Sequence, residues 1–237
     1  NKARIIRDIG LLIVPSAEHL AVTHAEHLKI LTESVSEDWD SSMPITTSCP
    51  RPDYSVGFRR QAFTPDQLQR LEPFVGDLQD EYQSYFLATW YIFFPFLTCE
   101  AQPGGGAHDV ANRKNAHSTA LAVRAVVELF RLAKREEEID REILAFSVSY
   151  DNSSVSLYGH YPVIENKDTK YHRHEIHHFF FTNPGGREKW TAFKFTKNIY
   201  KNWMPVHFKR ICSVIDDTKF IDASTECEGA ASEKQSC

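Results

Sequence analysis

The stretch Phe93-Phe94-Pro95-Phe96-Leu97-Thr98-Cys99 constrains the fold more than any other part of the chain. It offers no polar side to water, so as a strand it must be covered on both faces. The surrounding segment, Tyr85 to Cys99, is rich in aromatic and β-prone residues. After the break at Pro103-Gly104-Gly105-Gly106 comes the clearest helical pattern, Asp109 to Glu138. Ala116, Ala120, Val123, Val127, Phe130 and Leu132 supply its apolar side. A doubly covered strand beside amphipathic helices predicts an α/β layer fold.

The other segments fit that frame. The first 36 residues read as helices: Ile5, Ile6, Ile9, Leu12 and Ile13 recur at near-helical spacing, and after Pro15-Ser16 a second stripe joins Leu20, His24, Leu28, Leu31 and Val35. Glu37 to Arg51 is a loop by composition. Pro52-Asp53-Tyr54-Ser55-Val56-Gly57-Phe58 reads as a short strand. Thr64-Pro65-Asp66-Gln67 opens a helix that is expected to end near Gly76, with threonine as cap and proline at the first position. Strands are expected at 143–148, 155–164 and 171–181. Trp190 to Cys212 reads as one helix or two, interrupted at Pro205. A single domain over 1–221 is expected, with core 52–212 and a disordered tail over 222–237.

Composition excludes some classes. The longest apolar run, Trp90 to Leu97, is far short of the roughly 20 residues a membrane helix needs, so no membrane association is expected. The start, Asn1-Lys2-Ala3-Arg4, carries no secretory signal, and the chain is expected to begin inside a longer protein. Cys49, Cys99, Cys212, Cys227 and Cys237 form no CxxC pair. Reduced thiols in the nucleus or cytoplasm fit best, hence an intracellular protein. The net charge of −5 hides an asymmetry: Arg187 to Arg210 holds seven Lys or Arg against one Glu, and the segment after it is acidic.

The chemistry-bearing constellation lies where the apolar strand ends, at Glu100-Ala101-Gln102. Glu100 and Gln102 share a side because strands alternate with period two. Asp53 starts the earlier strand. Two carboxylates meeting at adjacent strand ends make a hard-oxygen site suited to Mg2+ (or Mn2+), which holds phosphate and activates water. The plainer reading is that Asp53 caps a turn and Glu100 pairs with an arginine.

Five stretches carry a resemblance: Pro15-Ser16-Ala17-Glu18, Pro52 to Gly57, Phe94 to Glu100, Asn115-Ala116-His117-Ser118 and Tyr158-Gly159-His160-Tyr161. From about Leu11 to Asp216 the chain resembles a family of uncharacterised fungal proteins, itself similar to the restriction-endonuclease-like, or PD-(D/E)xK, nuclease superfamily. That resemblance implies a central mixed sheet flanked by helices, with the Thr64–Gly76 helix inserted between the first core strands. It implies Mg2+-dependent hydrolysis of nucleic-acid phosphodiesters. Asp53 stands for the superfamily's Asp, Glu100 for its second acid, and Gln102 where its Lys belongs. Glu18 is the candidate acid of the first helix. Asn115 and Ser118 fall in the helix that supports such sites. Gln102 departs from the pattern: an amide can hydrogen-bond the attacking water but brings no charge. Lys114 or Arg113 is the candidate to replace that charge. A module that keeps the fold but only binds nucleic acid or protein is the alternative.

Two further clusters stand out. Read as a regular strand, Tyr171 to His178 sends His172, His174 and His178 to one face, where a carboxylate such as Glu165 could complete a zinc or iron site. The plainer reading is a half-exposed sheet face. His19, His24 and His27 read as helix-surface residues. Lys194, Lys197 and Lys201 recur at helical spacing among Trp190, Phe193, Tyr200 and Trp203. They are candidates for salt-sensitive phosphate contacts, or else the solvated side of an amphipathic helix.

Overall fold

A computed structural model describes residues 1–75, 83–103, 108–166 and 168–218. Three helical stretches start the chain: α1 (Lys2–Ile5), a π turn over Ile6–Gly10, and α2 (Leu11–Ile13). Then comes α3 (Ala17–Thr23), whose cap is Ser16: its hydroxyl accepts from the His19 amide at 2.9 Å. A 3-10 turn over Glu26–Ile30 leads into β1 (Leu31–Val35). The stripe that ran helically through Leu31 and Val35 is therefore broken. Leu28, Leu31 and Val35 are spaced as on a helix, but residues 31–35 pair with the next strand along their whole length. The sheet begins within the segment expected to be helical.

β2 (Tyr54–Phe58) is followed by α4 (Pro65–Val75), the helix inserted before the central strand. Its start is a capping box: the Gln67 amide donates to the Thr64 hydroxyl at 3.2 Å, and the Gln67 side chain accepts from the Thr64 amide at 3.1 Å. The predicted stop at Gly76 lies outside the described residues. β3 (Phe93–Ala101) is buried at every position, as its composition requires. α5 (His108–Leu132) crosses over to β4 (Ala145–Tyr150), which runs parallel to β3. A parallel neighbour needs a long connection of this kind. α5 stops at Leu132, short of Glu138, and Lys134 has a positive φ of 56°.

β5 (Ser154–Glu165) and β6 (Asp168–Phe180) complete the sheet, which is six-stranded in the order β1-β2-β3-β4-β5-β6. All pairings except β3–β4 are antiparallel. The β4–β5 turn is built by Asp151, whose carboxylate accepts from the amides of Ser153 and Ser154, both at 2.7 Å. α6 (Thr191–Asn198), a π turn over Ile199–Trp203 and α7 (Met204–Asp217) close the chain. Pro205 does not break the helical path: it is the second residue of α7, directly after the π turn.

The molecule is thus a mixed α/β sheet flanked by helices. Asn115 of α5 ties that helix to the sheet. Its carbonyl accepts from the Thr98 hydroxyl at 2.7 Å, and its amide donates to Val148 O at 3.0 Å and Ser149 Oγ at 2.9 Å. At the other end of the sheet an aromatic cluster joins Phe58, Phe96 and Phe208. Gly57 permits a bulge there, since a Cβ would lie 2.8 Å from the Phe93 carbonyl oxygen. Among the described residues, no helix is long and apolar enough to cross a membrane. Cys49, Cys99 and Cys212 are free thiols. The predicted tail over 222–237 lies outside the described residues.

Candidate functional site

The antiparallel register pairs Tyr54 with Cys99, so the next rung sets Asp53 beside Glu100. The two carboxylates meet on one cation. Lys2 Nζ, from α1, lies 2.8 Å from Asp53 Oδ1 and 3.5 Å from Glu100 Oε2. The other Asp53 oxygen accepts from the Ala101 amide at 2.7 Å, which locks the carboxylate against the end of β3. Lys114 of α5 approaches Glu100 Oε2 to 3.9 Å. Two lysines, and no arginine, therefore answer Glu100 among the described residues.

Burial dominates the electrostatics. Glu100 is 1% exposed. Desolvation, and then the neighbouring Asp53 charge, push its carboxyl up from 4.5 to about 7, against the pull of Lys2 and Lys114. The same surroundings raise the Cys99 thiol and the Tyr150 phenol, in both cases chiefly through burial. Glu100 Oε2 accepts no well-formed hydrogen bond among the described residues. A buried carboxylate oxygen facing only ammonium groups is a position that asks for positive charge. Mg2+ commonly uses one or two protein carboxylates, with water and phosphate completing its shell. Asp53 and Glu100 fit that requirement, provided Lys2 withdraws.

Other expected participants stand elsewhere. Gln102 follows β3; its amide N–H donates to Tyr150 O at 2.9 Å, and its side chain makes no hydrogen bond among the described residues. Asn115 holds β3 to β4, next to the site but not in it. Ser118 turns back on its own helix, donating to Lys114 O at 3.2 Å. Arg113 is exposed.

Glu18 does not join the carboxylate pair. It accepts from the Thr32 hydroxyl at 3.0 Å and from Arg59 at 3.4 Å, at the far end of β2 from Asp53. Six residues of strand span about 20 Å. The acid that α3 uses is Glu33, which the sequence reading passed over. It accepts from Ser16 Oγ at 2.7 Å, from the Glu18 amide at 3.2 Å and from Tyr54 OH at 2.7 Å, and so neutralises the start of α3. Lys2 was also missed, because no local pattern ties residue 2 to strands so far along the chain.

The histidine cluster is split. Tyr158 pairs with Glu175, and Leu157 with His177, so Ile176 is an extra residue in β6. An inserted residue reverses the alternation beyond it. His177 therefore joins His172 and His174, while His178 turns to the opposite face and meets Ser156 Oγ at 2.8 Å. Among the described residues, no three His, Cys, Asp or Glu side chains come together as a metal-binding group. Glu165 pairs with Lys170 at 3.2 Å instead.

Lys194, Lys197 and Lys201 do share a surface. They border a cavity of about 660 Å³ between α3 with its following turn and α6 with its π turn. Trp190, Phe193 and Tyr200 line it too, while Trp203 turns inward onto Phe96 and Phe146.

The chain belongs to the family described as a domain of unknown function, DUF7924, whose model matches residues 1–215. No curated protein and no solved structure matches it.

Proposed function

We propose that this domain is a divalent-metal-dependent, nuclease-like module acting on nucleic-acid phosphodiesters, on a restriction-endonuclease-like core. One observation carries the reading: Asp53 and Glu100, distant in sequence, converge at neighbouring strand ends around a single cation position. The order helix, three antiparallel strands, crossover helix and parallel strand supports it, with Asp53 just before the second strand and Glu100 near the end of the third.

In this reading Asp53 and Glu100 hold Mg2+ or Mn2+. The metal supplies Lewis acidity and a water of lowered pKa. The chain's residues set the conditions. Asp53 is kept in place by the Ala101 amide. Glu100 must release its proton to serve as a ligand, so occupancy rises with pH through about 7. Gln102 shares the Glu100 side of the strand and orients water as a neutral donor. Lys114, half exposed, brings the positive charge that Gln102 lacks.

Lys2 favours a second reading, a non-catalytic module on the same fold, since its ammonium stands where the metal would. A cleavage assay with Mg2+ or Mn2+ on single- and double-stranded substrates separates the two. Catalysis predicts activity that disappears in Glu100→Ala and increases in Lys2→Met. Cleavage that survives Glu100→Ala overturns the mechanism. Activity found only in Gln102→Lys marks a site that has lost its chemistry.

A further inference from the structure

The cavity between α3 and α6 carries charge that no carboxylate among the described residues balances. Lys194, Lys197 and Lys201 stand on its α6 side, and His24 and His27 on the side of α3 and the turn that follows it. No carboxylate lines it, and none of the three lysines forms an ion pair among the described residues. This contrasts with a chain whose net charge is −5. Between the cations the walls are apolar and aromatic, with Leu20, Leu28, Phe193 and Trp190; the last is 42% exposed and packs edge-to-face with Phe193 at 6.0 Å between ring centroids. Tyr200 also lines the cavity; its hydroxyl donates to the Pro15 carbonyl at 3.3 Å.

We infer that this cavity is a binding site for single-stranded nucleic acid, taking one unstacked base against Trp190 and Phe193 and the flanking phosphates on Lys194, Lys197 and Lys201. Three features select that ligand. A row at i, i+3 and i+7 extends about 10 Å along a helix, which is too long for one phosphate. The volume lies within the range of sites that enclose a small planar group. The polar groups at the rim are mostly donors, which suits a phosphodiester backbone made only of acceptors. An acidic peptide would bring one N–H per residue and find few acceptors. A stacked duplex presents no free base to the aromatic walls. The inference deepens the nuclease-like reading by naming a single strand as substrate, yet it concerns binding alone.

The test uses the full chain in EDTA, so that cleavage plays no part and failure of the chemistry is not confused with failure of this site. Binding of a labelled single-stranded oligonucleotide is titrated across a salt series. It is compared with an abasic strand of equal length, a duplex and polyglutamate. The single strand is expected to bind tightest. Replacing Lys194, Lys197 and Lys201 together by Gln should weaken it by at least about tenfold and reduce the log–log salt slope by about 2, the value for three contacts on a single strand. Phe193→Ala should weaken the base-bearing strand by about tenfold and leave the abasic strand unchanged. Trp190→Ala, at a more exposed position, gives the same readout if Phe193→Ala misfolds. Equal affinity for abasic and base-bearing strands, polyglutamate binding as tightly, or an unchanged salt slope in the lysine variant would each overturn the inference.

Discussion

The carboxylate pair and the lysine-bordered cavity treat charge in opposite ways. Around Glu100 each charge is answered inside the protein: Lys2 spans both acids, Lys114 approaches from α5, and the Ala101 amide takes the remaining Asp53 oxygen. Around Phe193 three ammonium groups have no carboxylate partner among the described residues, and Lys197 Nζ lies 5.7 Å from the centroid of the Phe193 ring. Buried charge is costly unless paired, whereas exposed charge is hydrated and persists unpaired. Mutations in the first region therefore change stability, because each one leaves a buried partner unanswered. The second contributes little to stability and is available to a ligand.

The largest expected effect falls on the support of the carboxylate region. Asn115→Leu removes three buried hydrogen bonds and strands Thr98, Ser149 and the Val148 carbonyl. Urea unfolding should show a loss of about 4 kcal/mol. A loss below about 1 kcal/mol would mean that β3 and β4 are held by packing alone.

Next comes pH. The folded protein holds the Glu100 proton up to about 7, while the unfolded chain releases it near 4.5. Across that window the unfolded state binds fewer protons, so stability falls as pH rises and levels off above it. The fall attributable to Glu100 is about 3 kcal/mol. Comparing wild type with Glu100→Gln at each pH isolates the Glu100 carboxyl together with its interaction with the Asp53 charge. Parallel profiles would remove Glu100 as a proton-linked group.

Lys2→Met should act more weakly on stability, by about 1 kcal/mol, because Lys2 is partly exposed and screened. Calorimetric titration should then show tighter Mn2+ binding. Unchanged affinity would separate Lys2 from the cation position and break the contrast between the two regions. The smallest effect is expected at the cavity: changing Lys194, Lys197 and Lys201 to Gln should alter stability by less than about 0.5 kcal/mol. A larger loss would show that these lysines hold the fold rather than wait for a ligand.

Much of this organisation was legible in the residues. The apolar run of β3 announced its burial, Thr64-Pro65-Asp66-Gln67 announced a capped helix, and the ends of two strands announced Asp53 and Glu100. These signals are local, because each lies within one turn or one strand. β1 was hidden because Leu28, Leu31 and Val35 satisfy helical spacing while the ladder to β2 decides otherwise. Lys2 and Glu33 were hidden because their partners lie in other elements. The face of His178 was hidden because one bulge overrules alternation, and a bulge leaves no mark in composition.

That bulge governs more than the imidazoles. β6 is the outermost strand of the sheet, thirteen residues long, with its free edge turned away from β5. A flat edge of that length would template the addition of an identical strand from another molecule. The extra residue at Ile176 coils the ribbon and divides its ladder into runs of eight and four residues, 168–175 and 177–180, which shortens what a second copy could match. One inserted residue thereby cuts the longest in-register stretch of this margin from thirteen residues to eight.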